Sequence, residues 1–198
     1  MTAPVIIASG GANIASLQFA LERLGCRPLV SAEADEIQNA SHVILPGVGA
    51  AEDAMSRLDA AGLSKLIPHL TQPVLGICLG MQLLHQASDE GNVRCLGILP
   101  GHAARLVPQP GRAVPHMGWN QLSAVRDHPL LAGLENGTFA YFVHSYALAP
   151  GADTVAVSDH GPAFAAVVSR ANFHGAQFHP ERSAASGARF LANFLELA

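Results

Sequence analysis

"PVLGICLGMQLLHQAS", residues 73–88, decides the reading of the fold. Its first six residues are a short apolar run, which reads as a buried strand. From Leu79 onward the pattern predicts a helix over 79–88. Cys78 stands at the junction, with Gly76 before it and Gly80 after it. A sharp strand-to-helix turn strains the backbone at its central residue and lifts that side chain out of the sheet. Chain passing close to the turn leaves no room for a Cβ, which is why glycine is needed on both sides. A thiol at a helix N-terminus is expected to favour its thiolate form. The amide of Leu79, the next residue, is expected to donate to an oxyanion forming at a substrate carbonyl.

The same alternation of strand and helix runs through the N-terminal half. "PVIIAS" (4–9) reads as a buried strand and "NIASLQFALERLG" (13–25) as a helix, with Asn13 as cap and Gly25 as stop. "SHVILPG" (41–47) is strand then turn, and "AAEDAMSRLDAAG" (50–62) is helix. Apolar strands between helices predict an α/β fold with a central, mostly parallel sheet flanked by helices. After about residue 95 the segments become strand-like and are divided by Gly, Pro and Asp, which predicts antiparallel additions. "SAASGARFLANFLELA" (183–198) closes the chain as a helix, with Ser183 as its cap. No repeat or linker appears, so one domain over 1–198 is expected.

Bulk composition narrows the function. The 198 residues are 49% hydrophobic and 13% charged, with a net charge of -4. That charged fraction is about half the usual ~25%, as when a chain hides surface against a partner or packs a compact Ala- and Gly-rich core. With no basic run, nucleic acid is not an expected partner. No apolar stretch approaches the ~18 residues of a membrane span. The N-terminus lacks a basic leader, so no signal peptide is expected. Cys26, Cys78 and Cys95 are too scattered for a disulfide framework or zinc site, which fits a cytoplasmic chain with reduced thiols. Ten histidines occur without an HExxH pattern, so neither a metal nor a cofactor is expected.

A thiolate nucleophile needs a base, and the base needs an orienting group. "QFHPE" (177–181) offers both at the end of a predicted strand. Pro180 stops the strand. His179 is then expected to move the proton, and Glu181 to hold the other ring nitrogen. "LPGVGA" (45–50) follows another buried strand. Its amides around Gly47, Val48 and Gly49 are expected at the same sheet edge, as a second oxyanion donor.

In this order and spacing, "PGVG", "GICLGMQ" and "QFHPE" resemble the class I (triad-type) glutamine amidotransferase domain, over nearly the whole chain. "GGANIAS" (10–16), "VPHMGWN" (114–120) and "YFVHSY" (141–146) further resemble the glutaminase subunits of imidazole glycerol phosphate synthases. The resemblance implies a flavodoxin-like fold and hydrolysis of glutamine to glutamate and ammonia through a glutamyl thioester on Cys78. It implies Gln82 and the segment His144, Ser145 and Tyr146 as substrate-binding residues. It also implies that the ammonia acceptor is a (β/α)8-barrel cyclase partner, contacted by Asn13, Pro115, Trp119, Asn120 and Arg182. In the cyclase reaction ammonia joins a phosphoribulosyl-formimino nucleotide, giving imidazole glycerol phosphate and an aminoimidazole carboxamide ribotide. Arg182 departs from the lysine usual after HPE, and Ala8 and Ser9 replace the usual aromatic before the first glycine segment. Three alternatives stay open: the glutaminase of another synthase, such as anthranilate or pyridoxal phosphate synthase; a thiol peptidase or hydrolase on the same turn; and a degenerate binding module.

Overall fold

A computed structural model describes residues 3–8 and 14–198. Asn13, a predicted cap and partner contact, lies outside the described residues, as does Ser9. The first half runs β1 (Val5–Ile7), α1 (Ile14–Arg23), β2 (Leu29–Ser31), α2 (Ala34–Gln38), β3 (Val43–Gly47), α3 (Ala51–Ala60), α4 (Leu63–Leu66), β4 (Val74–Cys78) and α5 (Leu79–Leu83). Short strands follow: β5 (Ala87–Ser88), β6 (Val93–Arg94), β7 (His102–Arg105), β8 (His116–Gln121) and β9 (Ser123–Ala124). Then come β10 (Phe139–His144), β11 (Tyr146–Leu148), β12 (Thr154–Asp159), β13 (Ala163–Arg170), β14 (Phe173–Ala176) and the closing α6 (Ala184–Leu195).

Eight strands form the central sheet in the order β2-β1-β3-β4-β14-β13-β12-β9. The five from β2 to β14 are mutually parallel, and β13, β12 and β9 continue the sheet antiparallel. The expectation of a mostly parallel sheet with antiparallel additions therefore holds. Alternation along the parallel strands divides the core. Val5, Ile7, Val43, Leu45 and Val74 pack to one side with α3 and α4. Ile6, Ile44, Leu75 and Ile77 pack to the other with Leu17 and Leu21 of α1 and Phe190, Leu191 and Phe194 of α6. Burial on both faces is why these strands read as continuous apolar runs. No helix among the described residues is long and apolar enough to cross a membrane.

Two local expectations are corrected. The helix predicted over 79–88 ends at Leu83. The chain at 95–99 takes its last carbonyls: Leu96 N–H donates to Leu83 at 2.9 Å, Leu99 N–H to Leu84 at 2.9 Å and Gly97 N–H to His85 at 2.8 Å. With those acceptors used, the helix stops and β5 begins. A five-residue helix contributes little dipole to Cys78. Ser183 precedes α6, yet its hydroxyl does not cap it. It donates to the His179 carbonyl at 2.7 Å and accepts from Tyr141 N–H at 2.9 Å.

Candidate active site

Parallel pairing brings three sequence-distant segments to one edge. Gly47 at the end of β3 pairs with Cys78 at the end of β4, and Ile77 pairs with Ala176 of β14. The chain leaving β14 therefore carries Gln177 and His179 past Cys78. Cys78 has φ 52° and ψ -110°, a conformation sparsely populated by residues with a side chain. The surrounding glycines make room for it. A Cβ on Gly76 would lie 2.6 Å from the Gly80 carbonyl oxygen. One on Gly80 would lie 1.9 Å from the Leu45 oxygen, and one on Gly47 2.6 Å from the Gly80 nitrogen.

His179 is held from several directions. Its backbone N–H donates to Tyr141 O at 2.9 Å, and its Nδ1 lies 2.8 Å from Glu181 Oε1. Both side chains of that pair are almost fully buried. Burial alone pushes the imidazole toward its neutral form. Hydrogen bonds and charge from Cys78 and Glu181 outweigh it and raise the pKa to about 10. With Nδ1 on Glu181, Nε2 is the nitrogen left for Cys78. The Cys78 Sγ also lies 3.7 Å from the Val143 carbonyl and 3.7 Å from Gln177 Nε2, which donates to it.

Cys78 and His179 open onto a cavity of about 370 Å³. Gly47, Val48, Gly49, Leu79 and Gln82 line it. His144, Ser145, Tyr146, Pro115 and Arg182 line it as well. Of the residues expected at the site, Glu181 stands behind His179 instead of lining the cavity. Trp119 and Asn120 also lie off the cavity, on β8. Trp119 is 52% exposed beside the exposed Met117, and Phe139 of β10 is exposed as well. Gln82 is buried, and its Nε2 donates to Tyr146 O at 2.9 Å and Gln177 Oε1 at 3.0 Å.

Sequence reasoning missed Gln177, Val143 and Glu90. Gln177 carried a usable signal: two residues before His179 in an extended segment, it shares its face. Glu90 lines the cavity while Oε2 accepts from Ala51 N–H at 3.0 Å. It sits in a polar turn with no motif to mark it. Chemically, the constellation offers a sulfur nucleophile, a protonated imidazole held by a carboxylate, and a pocket with an anionic group.

The glutamine amidotransferase class-I family model matches residues 5–197. The chain belongs to the class-I glutamine amidotransferase family. Within that family it is 56% identical over 197 residues to imidazole glycerol phosphate synthase subunit HisH of Xanthomonas campestris pv. campestris (strain 8004), spanning 100% of this chain and 98% of that protein. It is 52% identical over 197 residues to the subunit HisH of Xylella fastidiosa (strain Temecula1 / ATCC 700964), with the same coverage. Among solved structures, a putative GMP synthase subunit of Thermoplasma acidophilum superposes with a TM-score of 0.75 at 17% identity, over 98% of this chain and 93% of that one. A glutamine amidotransferase of Thermotoga maritima gives 0.65 at 18% identity, over 98% and 83%. At such identities the superpositions speak for the shared amidotransferase fold.

Proposed function

We propose that this chain is the glutaminase subunit of imidazole glycerol phosphate synthase, releasing ammonia from glutamine for a cyclase subunit in histidine biosynthesis. The observation that carries the reading is the strained Cys78 beside a His179 held by Glu181, both opening onto a cavity of about 370 Å³. Full-length identity to HisH proteins supports the choice of synthase.

In the proposed reaction the Cys78 sulfur attacks the side-chain amide carbon. Negative charge develops on the amide oxygen. The amides of Leu79 and of the Val48–Gly49 turn are the nearby donors for it. The His179 imidazolium gives its proton to the departing nitrogen, and ammonia leaves with a glutamyl thioester on Cys78. His179 is now neutral, so it can take a proton from water as that water attacks the thioester. Glutamate leaves and the imidazolium is restored. Glu181 keeps Nδ1 protonated throughout, which aims Nε2 at the sulfur. Glu90 supplies a negative charge suited to the ammonium of the substrate.

Ammonia released into water becomes mostly ammonium at neutral pH. A channel into a (β/α)8-barrel cyclase, in a cytoplasmic heterodimer, avoids that loss. The exposed face of β8 and β10, with Met117, Trp119 and Phe139, is an apolar surface of the kind that anchors interfaces. Arg182 at the cavity rim would meet the same partner. Copurification with a different synthase would replace this partner assignment. Glutaminase turnover, measured with and without the cyclase and its nucleotide, is expected to rise strongly on assembly. Cys78→Ala is expected to lose about four orders of magnitude of turnover or more while still binding the cyclase. Undiminished turnover in that variant rejects the assignment.

A further inference from the structure

Two buried histidines pair across the β8–β10 sheet, His116 on β8 and His144 on β10, where His144 also lines the cavity next to Tyr146. Asn120 Nδ2 is 3.2 Å from His116 Nε2, His116 Nδ1 is 3.0 Å from His144 Nε2, and His144 Nδ1 is 2.9 Å from Tyr146 O. We propose that His144 is a positioning residue whose donor face is locked toward Tyr146 O by Asn120 and His116, and that it aims this carbonyl at Gln82.

The direction of every bond follows from its outer end. Asn120 Oδ1 accepts from Gln121 N–H at 2.8 Å, and Nδ2 donates to Asp159 O at 2.7 Å. A backbone N–H can only donate and a carbonyl can only accept, so the amide has one orientation. Its second Nδ2 proton therefore meets His116 Nε2, which must be bare. His116 then carries its proton on Nδ1 and gives it to His144 Nε2, which must also be bare. His144 is left with Nδ1–H, pointed at Tyr146 O. Both rings must be neutral for this to hold. Burial, foremost, lowers His116 to about 4 and His144 to about 3, so both are neutral at pH 7. Phe142 and Phe164 pack against the pair, with ring centres 5.1 and 5.7 Å from His116.

The same carbonyl accepts from Gln82, whose Nε2 also donates to Gln177 Oε1, so that Gln177 Nε2 faces Cys78 Sγ. Two runs of hydrogen bonds thus share Tyr146 O as acceptor: one comes from Asn120, beside the exposed Trp119, through His116 and His144, and the other starts at Gln82, which donates both to this carbonyl and, through Gln177, toward the nucleophilic sulfur. Loss of the His144 donor would leave Tyr146 O free to turn and would loosen both amides. The functional half of this inference rests on the glutaminase reading; the tautomers do not.

The test is long-range proton–nitrogen NMR on the full chain with nitrogen-labelled histidine, at pH 7 and without substrate. His116 and His144 are expected as neutral rings, both protonated on Nδ1. A proton on Nε2 of either ring overturns the proposal. In the assembled synthase, His144→Leu is expected to lower glutaminase kcat/KM about 10-fold, one hydrogen bond's worth. His144→Asn, which keeps a donor near the Nδ1 position, is expected to recover most of it. Equal losses in the two variants, or no loss in His144→Leu, overturn it. Should His144→Leu fail to fold, the tautomers of the unaltered chain still decide. Glutamine turnover surviving in Cys78→Ala would remove the glutaminase reading and leave the tautomers standing.

Discussion

Cys78 ends β4 and His179 follows its parallel neighbour β14, yet opposite means hold them. Cys78 is held by exclusion. Its φ of 52° persists because Gly47, Gly76 and Gly80 let three backbones approach more closely than any Cβ allows. His179 is held by attachment. Glu181 grips its ring, Tyr141 its N–H and Ser183 its carbonyl. Steric positioning fails all at once when one methyl is added. Hydrogen-bonded positioning degrades by steps, as one partner after another is removed. For a thioester mechanism the division is sensible. The sulfur must present one attack geometry, while the imidazole must alternately give and take a proton.

The largest effect is expected at Gly80. A methyl there meets the Leu45 backbone oxygen at 1.9 Å, and that backbone cannot yield. Gly80→Ala should cost more than about 4 kcal/mol, seen as loss of cooperative unfolding or of soluble protein. A Tm near that of the unaltered chain would show that the exclusion account is wrong.

The attached side is expected to break by degrees. His179→Asn should lower kcat about 10³-fold with the fold intact, measured as ammonia release in the assembled synthase. Glu181→Gln should cost somewhat less, about 10²-fold, and should also move the pH profile. The carboxylate helps raise His179 to about 10 from an ordinary 6.5. Without that charge the imidazolium survives only to lower pH, so the alkaline limb of kcat should shift toward acid. Stability follows the same sign. A raised pKa stabilises the fold fully below about 6.5, and the contribution fades as pH rises through about 10. Denaturant midpoints across that window should fall less steeply in Glu181→Gln. An unmoved alkaline limb would place the charge on His179 elsewhere. Ser183→Ala should have the smallest effect, about 1–3 kcal/mol from orphaning Tyr141 N–H, since the His179 carbonyl keeps the Arg182 N–H at 3.0 Å. A loss below a few tenths would mean that the hydroxyl merely fills space.

The same contrast explains what could be read from the sequence. Exclusion leaves a local trace, because only glycine tolerates it, so "GICLG" announces the turn by itself. The His179–Glu181 pair is legible for the same reason: both residues lie within one short turn. Long-range attachments leave no such trace. Ser183 looks like a helix cap, and only the fold brings it to Tyr141, 42 residues away. Gln82 and Gln177 are 95 residues apart and meet only because β4 pairs with β14. Glu90 reaches the cavity because the chain folds back after α5 ends early, an event decided by carbonyl acceptors taken up at 95–99. Trp119 by residue type alone points to the core, and only the resemblance made it a partner contact; on β8 it is exposed.

The central claim is that glutamine passes through a covalent intermediate on Cys78. Acid quenching during turnover with labelled glutamine, followed by peptide mapping, tests it directly. A glutamyl thioester on the peptide carrying Cys78, absent in Cys78→Ala, is the predicted result. Label on Cys26 or Cys95, or steady turnover in Cys78→Ala, would contradict it.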